Sequence, residues 1–262
     1  MNALNLSKKW ALATLTLLSG MLAVPAAGAQ QAPVVQARNV VLVHGAWADG
    51  SSWAEVIPRL QAAGLNVTAV QNPLSSLQES VDATRRVLAQ QDGPTVLVAH
   101  SWGGTVISEV GNDPKVTALV YVAARAPDAG EDFVALSGEF PAGAARAGIQ
   151  THDGYTTLSK DAFLKYFANG VPARQANVLY AVQGATAASL FTGRTTNAAW
   201  REKPSFYAVS RQDQTINPDL ERFLARRMGA TTIEVDAGHL SMVSQPKPIA
   251  DLILQAAGQR SK

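Results

Sequence analysis

Three residues of this chain carry complementary chemistry in a consistent order: Ser101 in "VLVAHSWGGTVISEV", Asp213 in "AVSRQDQTINP" and His239 in "EVDAGHLSMVS". A serine hydroxyl attacks an acyl carbon well only when a base takes its proton, and an imidazole can take it and later return it to a leaving group. A carboxylate beside the imidazole fixes its orientation and stabilises its cation. Asp128 is the alternative acid, in the loop after an earlier apolar run. The chain has four histidines. His44 and His100 belong to the two motifs described next and His152 lies in a long intervening segment, which leaves His239 as the candidate base.

Ser101 has small residues two places to either side, Ala99 and Gly103. That spacing suits a strained turn in which a strand enters and a helix leaves almost on top of each other. Such a turn holds the hydroxyl at the positive end of the helix, where a developing oxyanion is stabilised. Upstream, "VLVHGAW" ends another β-rich run. Gly45 lets the backbone turn there, so that the Ala46 N–H can join the Trp102 N–H as a second oxyanion donor. Alone, this tetrapeptide also reads as an ordinary strand-to-helix turn.

These residues need a scaffold that brings several strand ends together. From Asn39 onward, apolar β-rich runs alternate with helical patterns: "NVVLV" (39–43), "NVTAV" (66–70), "TVLVA" (95–99), "ALVYV" (118–122), "SFYAV" (205–209) and "TTIEV" (231–235). Most lack polar/apolar alternation, as strands covered on both faces do. The fold class is therefore α/β, with a mostly parallel sheet of about six strands flanked by helices. Ser76 with Glu79 marks one helix start, and Asn217 with Pro218 marks another, with Gly229 as its stop. Residues 126–203 are too long for a plain crossover and are expected to form an inserted helical cap, with residues 30–125 and 204–262 as the core. "SKDAFLKYFANG" and "ARQANVLYAVQGA" supply its helical patterns. Some of Phe140, Phe163, Phe167, Tyr180 and Phe191 should face whatever it covers.

Composition removes other possibilities. The chain has 262 residues, 47% of them hydrophobic and 16% charged, enough for one substantial core. Residues 1–29 read as an export signal: Lys8 and Lys9, an apolar run from Trp10 to Val24, then Ala27–Ala29. The expected location is the periplasm or the medium, with no lasting membrane anchor. Removing Lys8 and Lys9 with it brings 22 basic residues down level with the 20 acidic ones, so no footprint for nucleic acid or anionic lipid remains. The absence of cysteine excludes a disulfide framework, a thiolate zinc site and a cysteine nucleophile.

Together these motifs resemble the α/β-hydrolase family, in which nucleophile, acid and base follow in the order serine, acid, histidine. More narrowly, "LVHGAWADGSSWAEVIPRLQAAGLNVTAV" and "FLARRMGATTIEVDAGHLSMVSQPKPIADLILQAA" are similar to the branch with plant methyl esterases, hydroxynitrile lyases and many bacterial esterases. The resemblance implies a carboxylesterase acting on a small-molecule substrate with no cofactor and no metal. Ser101 would be the nucleophile, His239 the base, Asp213 its orienting acid, and Ala46 and Trp102 the oxyanion donors. Perhydrolysis, carbon–carbon bond hydrolysis and a receptor-like binding role are the alternatives with the same residues. Ala99 departs from the usual glycine. Leu240 and His100 replace the lysine and glutamate of the lyases and argue against cyanohydrin cleavage. A cap without concentrated positive charge suggests an uncharged ester with apolar parts.

Overall fold

The computed structural model describes residues 36–259. The expected export signal lies outside the described residues. Nine strands occur among the described residues: β1 (Asn39–Val43), β2 (Asn66–Val70), β3 (Thr95–His100), β4 (Val116–Val122), β5 (Ile149–His152), β6 (Tyr155–Leu158), β7 (Thr186–Ala187), β8 (Ser205–Ser210) and β9 (Thr231–Val235). Six of them form one parallel sheet in the order β2-β1-β3-β4-β8-β9. All six runs read from the sequence are strands of this sheet. Its inner strands β1, β3 and β8 are buried along their whole length, whereas the edge strands β2 and β9 are partly exposed along most of theirs. That difference is why the inner runs are continuously apolar.

The chain leaves β1 toward one edge and returns through β3 on the other side, so strand order reverses between β1 and β3. In open parallel sheets the crevice at the carboxyl ends of such a pair is where ligands bind. Gly45–Trp47 follows β1 and Ser101 follows β3 at that crevice.

Helices α1 (Ile57–Ala62), α2 (Leu77–Ala89) and α3 (Gly103–Val110) make the first crossovers. The Ser76 side chain caps α2 by accepting from the Glu79 N–H at 3.1 Å. In the segment between β4 and β8 lie α4 (Phe133–Ser137), a short α5 (Lys160–Ala162) running into a π-helical turn (Phe163–Phe167), and α6 (Ala173–Ala181). Beyond β8 come α7 (Pro218–Arg227), α8 (Ser241–Ser244) and α9 (Pro246–Ala256). Asn217 caps α7, and Gly229 at φ +61° follows its end. α1 packs against α9 and α2 against α3, as right-handed crossovers in opposite directions from the switch point require.

The expectation of a helical cap is met only in part, because β5, β6 and β7 form a separate three-stranded antiparallel sheet. β5 and β6 are joined by Asp153–Gly154, both at positive φ, a two-residue hairpin whose twist matches the strands. The stretch "HDGY" carried that signal in the sequence.

Candidate active site

Ser101 occupies the turn between β3 and α3 at φ +54°, a conformation rare for a residue with a Cβ. Three backbone bonds hold it there: its N–H donates to Val122 at 3.2 Å, and its carbonyl accepts from Gly104 at 3.1 Å and Arg125 at 3.0 Å. The turn closes only over glycine. A Cβ on Gly103 would stand 2.8 Å from the Val43 and His44 carbonyl oxygens, and one on Gly45 would stand 2.6 Å from the Ser101 Cβ.

His239 lies between β9 and α8, and Asp213 follows β8. The two loops are zipped together where the Gln212 N–H donates to the Ala237 carbonyl at 2.9 Å. His239 Nε2 is 2.9 Å from Ser101 Oγ, and Nδ1 is 2.6 Å from Asp213 Oδ2. The other oxygen of Asp213 accepts from the Thr215 N–H at 2.6 Å and the Ile216 N–H at 2.9 Å. Both oxygens therefore have partners, and the side chains of His239 and Asp213 are fully buried. Asp128 is placed elsewhere: Arg201 Nε donates to its Oδ1 at 2.8 Å, and that pairing lowers its pKa. The structure thus joins Ser101, His239 and Asp213 and leaves Asp128 out.

Ala46 and Trp102 line a cavity of about 280 Å³ together with Ser101. Trp47 takes φ +55° after Ala46 and donates its N–H to Thr186 Oγ1 at 3.0 Å and its indole N–H to Thr156 Oγ1 at 3.1 Å. The Trp102 indole donates to the Leu190 carbonyl at 3.0 Å. Both loops that carry candidate oxyanion donors are so fastened to the cap.

Four buried or partly buried groups surround these residues. His44 Nε2 accepts from the Asn72 N–H at 2.8 Å, so its proton sits on Nδ1 and is donated to the Gly45 carbonyl at 3.0 Å. Burial lowers its pKa and keeps it neutral. His100 donates through Nε2 to the His239 carbonyl, and burial lowers its pKa well below the ordinary value. Glu221 on α7 is fully buried and accepts from the Ser210 N–H at 2.9 Å. Burial first, and then the nearby Asp213 carboxylate, raise its pKa well above its ordinary value, and its Oε1 has no hydrogen-bond partner among the described residues. Arg125 follows β4 and borders the cavity. Glu221 and Arg125 were not singled out in the sequence, which offers only a glutamate beside the apolar stripe of α7 and an arginine after "YVAA".

Of the five cap aromatics, Phe191 lines the cavity and Phe167 packs 5.0 Å from the His239 ring. Phe163 packs at a tilt on Phe167 and edge-to-face on Tyr180, and Phe140 packs on Phe223.

A parallel sheet with a strained serine after its third strand, backed by histidine and aspartate from the last two strand ends, defines a class of fold and site. Residues 40–252 match the family described as the alpha/beta hydrolase family, and the chain belongs to it. Putative methylesterase 19 of Arabidopsis thaliana is 26% identical over 260 residues, covering 85% of this chain and 98% of that protein. A carbendazim-hydrolysing esterase of Nocardioides sp. (strain SG-4G) is 32% identical over 139 residues, which span 44% of this chain and only 57% of that protein. Among solved structures, a pyrethroid hydrolase from Sphingobium faniae JZ-2 superposes with a TM-score of 0.68 at 20% identity, covering 84% of this chain and 97% of that one.

Proposed function

We propose that the protein is an exported serine carboxylesterase acting on small to medium esters with apolar parts. The observation that carries this reading is the unbroken hydrogen-bond chain from Ser101 Oγ through His239 to Asp213, ending at the cavity. The relatives are named as esterases and hydrolases, which agrees with it. Ser101 attacks the ester carbonyl while His239 Nε2 takes its proton. Asp213 stabilises the resulting imidazolium. The Ala46 and Trp102 N–H groups hold the tetrahedral oxyanion, and His239 then protonates the departing alkoxide. Water repeats the sequence on the acyl-enzyme to release the acid. Phe191, Ile216 and Val134 offer apolar surface to the substrate. Export rests on the sequence of residues 1–29.

Treatment of the secreted protein with a fluorophosphonate, followed by peptide mass spectrometry, tests the reading. One adduct on Ser101, absent from His239→Ala, is the expected result, and the N-terminal peptide should begin near Gln30. No adduct on a folded protein would overturn the esterase and favour a binding role; a retained leader would overturn export.

A further inference from the structure

Arg125 is a cation without a carboxylate. Its backbone N–H is bonded to the Ser101 carbonyl, so its side chain starts immediately behind the nucleophile. The guanidinium stacks between two rings, 4.9 Å from the Phe133 centroid and 5.4 Å from that of Phe191. Its one hydrogen bond among the described residues runs from Nη1 to the Phe191 carbonyl at 3.3 Å. A guanidinium has five N–H donors, so most of this fork is unassigned. Burial lowers its pKa to about 10, which still leaves it charged at neutral pH.

Arg146, from the turn after α4, borders the same cavity. Among the described residues neither arginine pairs with an acid. Both also line an adjoining chamber of about 120 Å³, shared with Thr215, Ile216 and Asn217. Among the described residues no aspartate or glutamate lines either space. Positions 125 and 146 are too far apart in sequence to register as a basic cluster, and the fold gathers them beside Ser101.

We propose that these two arginines form a carboxylate subsite, so that the favoured substrates are esters bearing a free carboxylate, such as half-esters of dicarboxylic acids. This rests on the esterase reading and replaces the expectation, drawn from the sequence, of an uncharged substrate. The stacked fork is held in place before binding, and two parallel N–H donors match the two oxygens of a carboxylate. Arg125 is partly buried between its two rings, where the pairing is less screened, and Arg146 is exposed at the rim.

The test compares kcat/KM for monomethyl succinate, adipate and suberate with the corresponding dimethyl esters, in wild type, Arg125→Met and Arg146→Gln. The wild type should prefer at least one half-ester over its diester by tenfold or more. Arg125→Met should reduce that ratio at least tenfold and Arg146→Gln by a smaller factor. A purely structural role for Arg125 would lower both rates together and leave the ratio unchanged, which would overturn the proposal. So would a wild type that favours every diester. If Arg125→Met does not fold, Arg146→Gln and the loss of preference at high salt decide the matter. Hydrolysis of diesters together with a Ser101 fluorophosphonate adduct would show that the esterase reading survives such a failure; absence of both would sink that reading itself.

Discussion

His100 Nε2 lies 3.0 Å from the His239 carbonyl oxygen, and the two imidazole rings are 4.5 Å apart between centroids. A carbonyl only accepts, so the His100 proton is on Nε2, and Nδ1 has no partner among the described residues. The residue before Ser101 therefore anchors the main chain of His239, the proposed base. His100→Phe keeps a ring in place but removes the donor. It should lower kcat by about 10–100-fold through misplacement of His239, with KM little changed. Steady-state kinetics on p-nitrophenyl acetate check this, and an unchanged kcat would show that the bond does not position the base.

The triad gives a sharper contrast. Ser101→Ala should reduce ester turnover by about 10⁴-fold or more, and Asp213→Asn by about 10³–10⁴-fold. Asp128→Asn should stay within about threefold, because it loses only an exposed ion pair with Arg201. Circular dichroism should show all three folded. If Asp128→Asn were the more damaging change, the assignment of the acid would be wrong.

Gly103→Ala is expected to destabilise the fold by roughly 2–3 kcal/mol, because the new methyl meets two main-chain carbonyls that can move only with β1. Urea denaturation measures the loss. A cost near zero would mean that the turn can open without strain.

Stability should depend on pH in two opposite ways. The raised pKa of Glu221 means that the folded protein holds this proton to higher pH than the unfolded chain, which releases it above about pH 4.3. Between that point and its raised folded value the unfolded state binds fewer protons, so stability falls as pH rises. Glu221→Gln removes this slope, and its advantage over wild type should grow between pH 5 and pH 8. His44 and His100 act at the acid side: their lowered values mean that the unfolded chain alone takes up protons below about pH 6.5, so stability falls as pH drops from there. Denaturation curves at several pH values separate the two, and an equal Gln advantage at both pH 5 and pH 8 would contradict the raised pKa of Glu221.

The parts of this architecture that depend on local pattern were legible in the sequence. Continuous apolar runs gave β1, β3 and β8, caps at Ser76 and Asn217 gave helix starts, and the small residues around Ser101 gave the turn. Features created by distant partners were not. Glu221 gains its character from burial beside Asp213, and Arg125 from its stacking with Phe133 and Phe191. The cap sheet lies between these cases. Its Asp153–Gly154 hairpin is a local signal, but β7 is two residues long and becomes a strand only by pairing with β6.

The fastening of Trp47 to Thr186 and Thr156, and of Trp102 to Leu190, has a consequence for how such proteins diversify. A cap is often regarded as an interchangeable filter laid over a finished reaction centre. Here the inserted segment braces the two loops that carry the candidate oxyanion donors Ala46 and Trp102. If Ala46 and Trp102 are the oxyanion donors proposed above, grafting a different cap onto this sheet should alter the rate of the chemical step as well as the choice of substrate, unless the replacement supplied hydroxyl and carbonyl acceptors at the same three indole and amide positions.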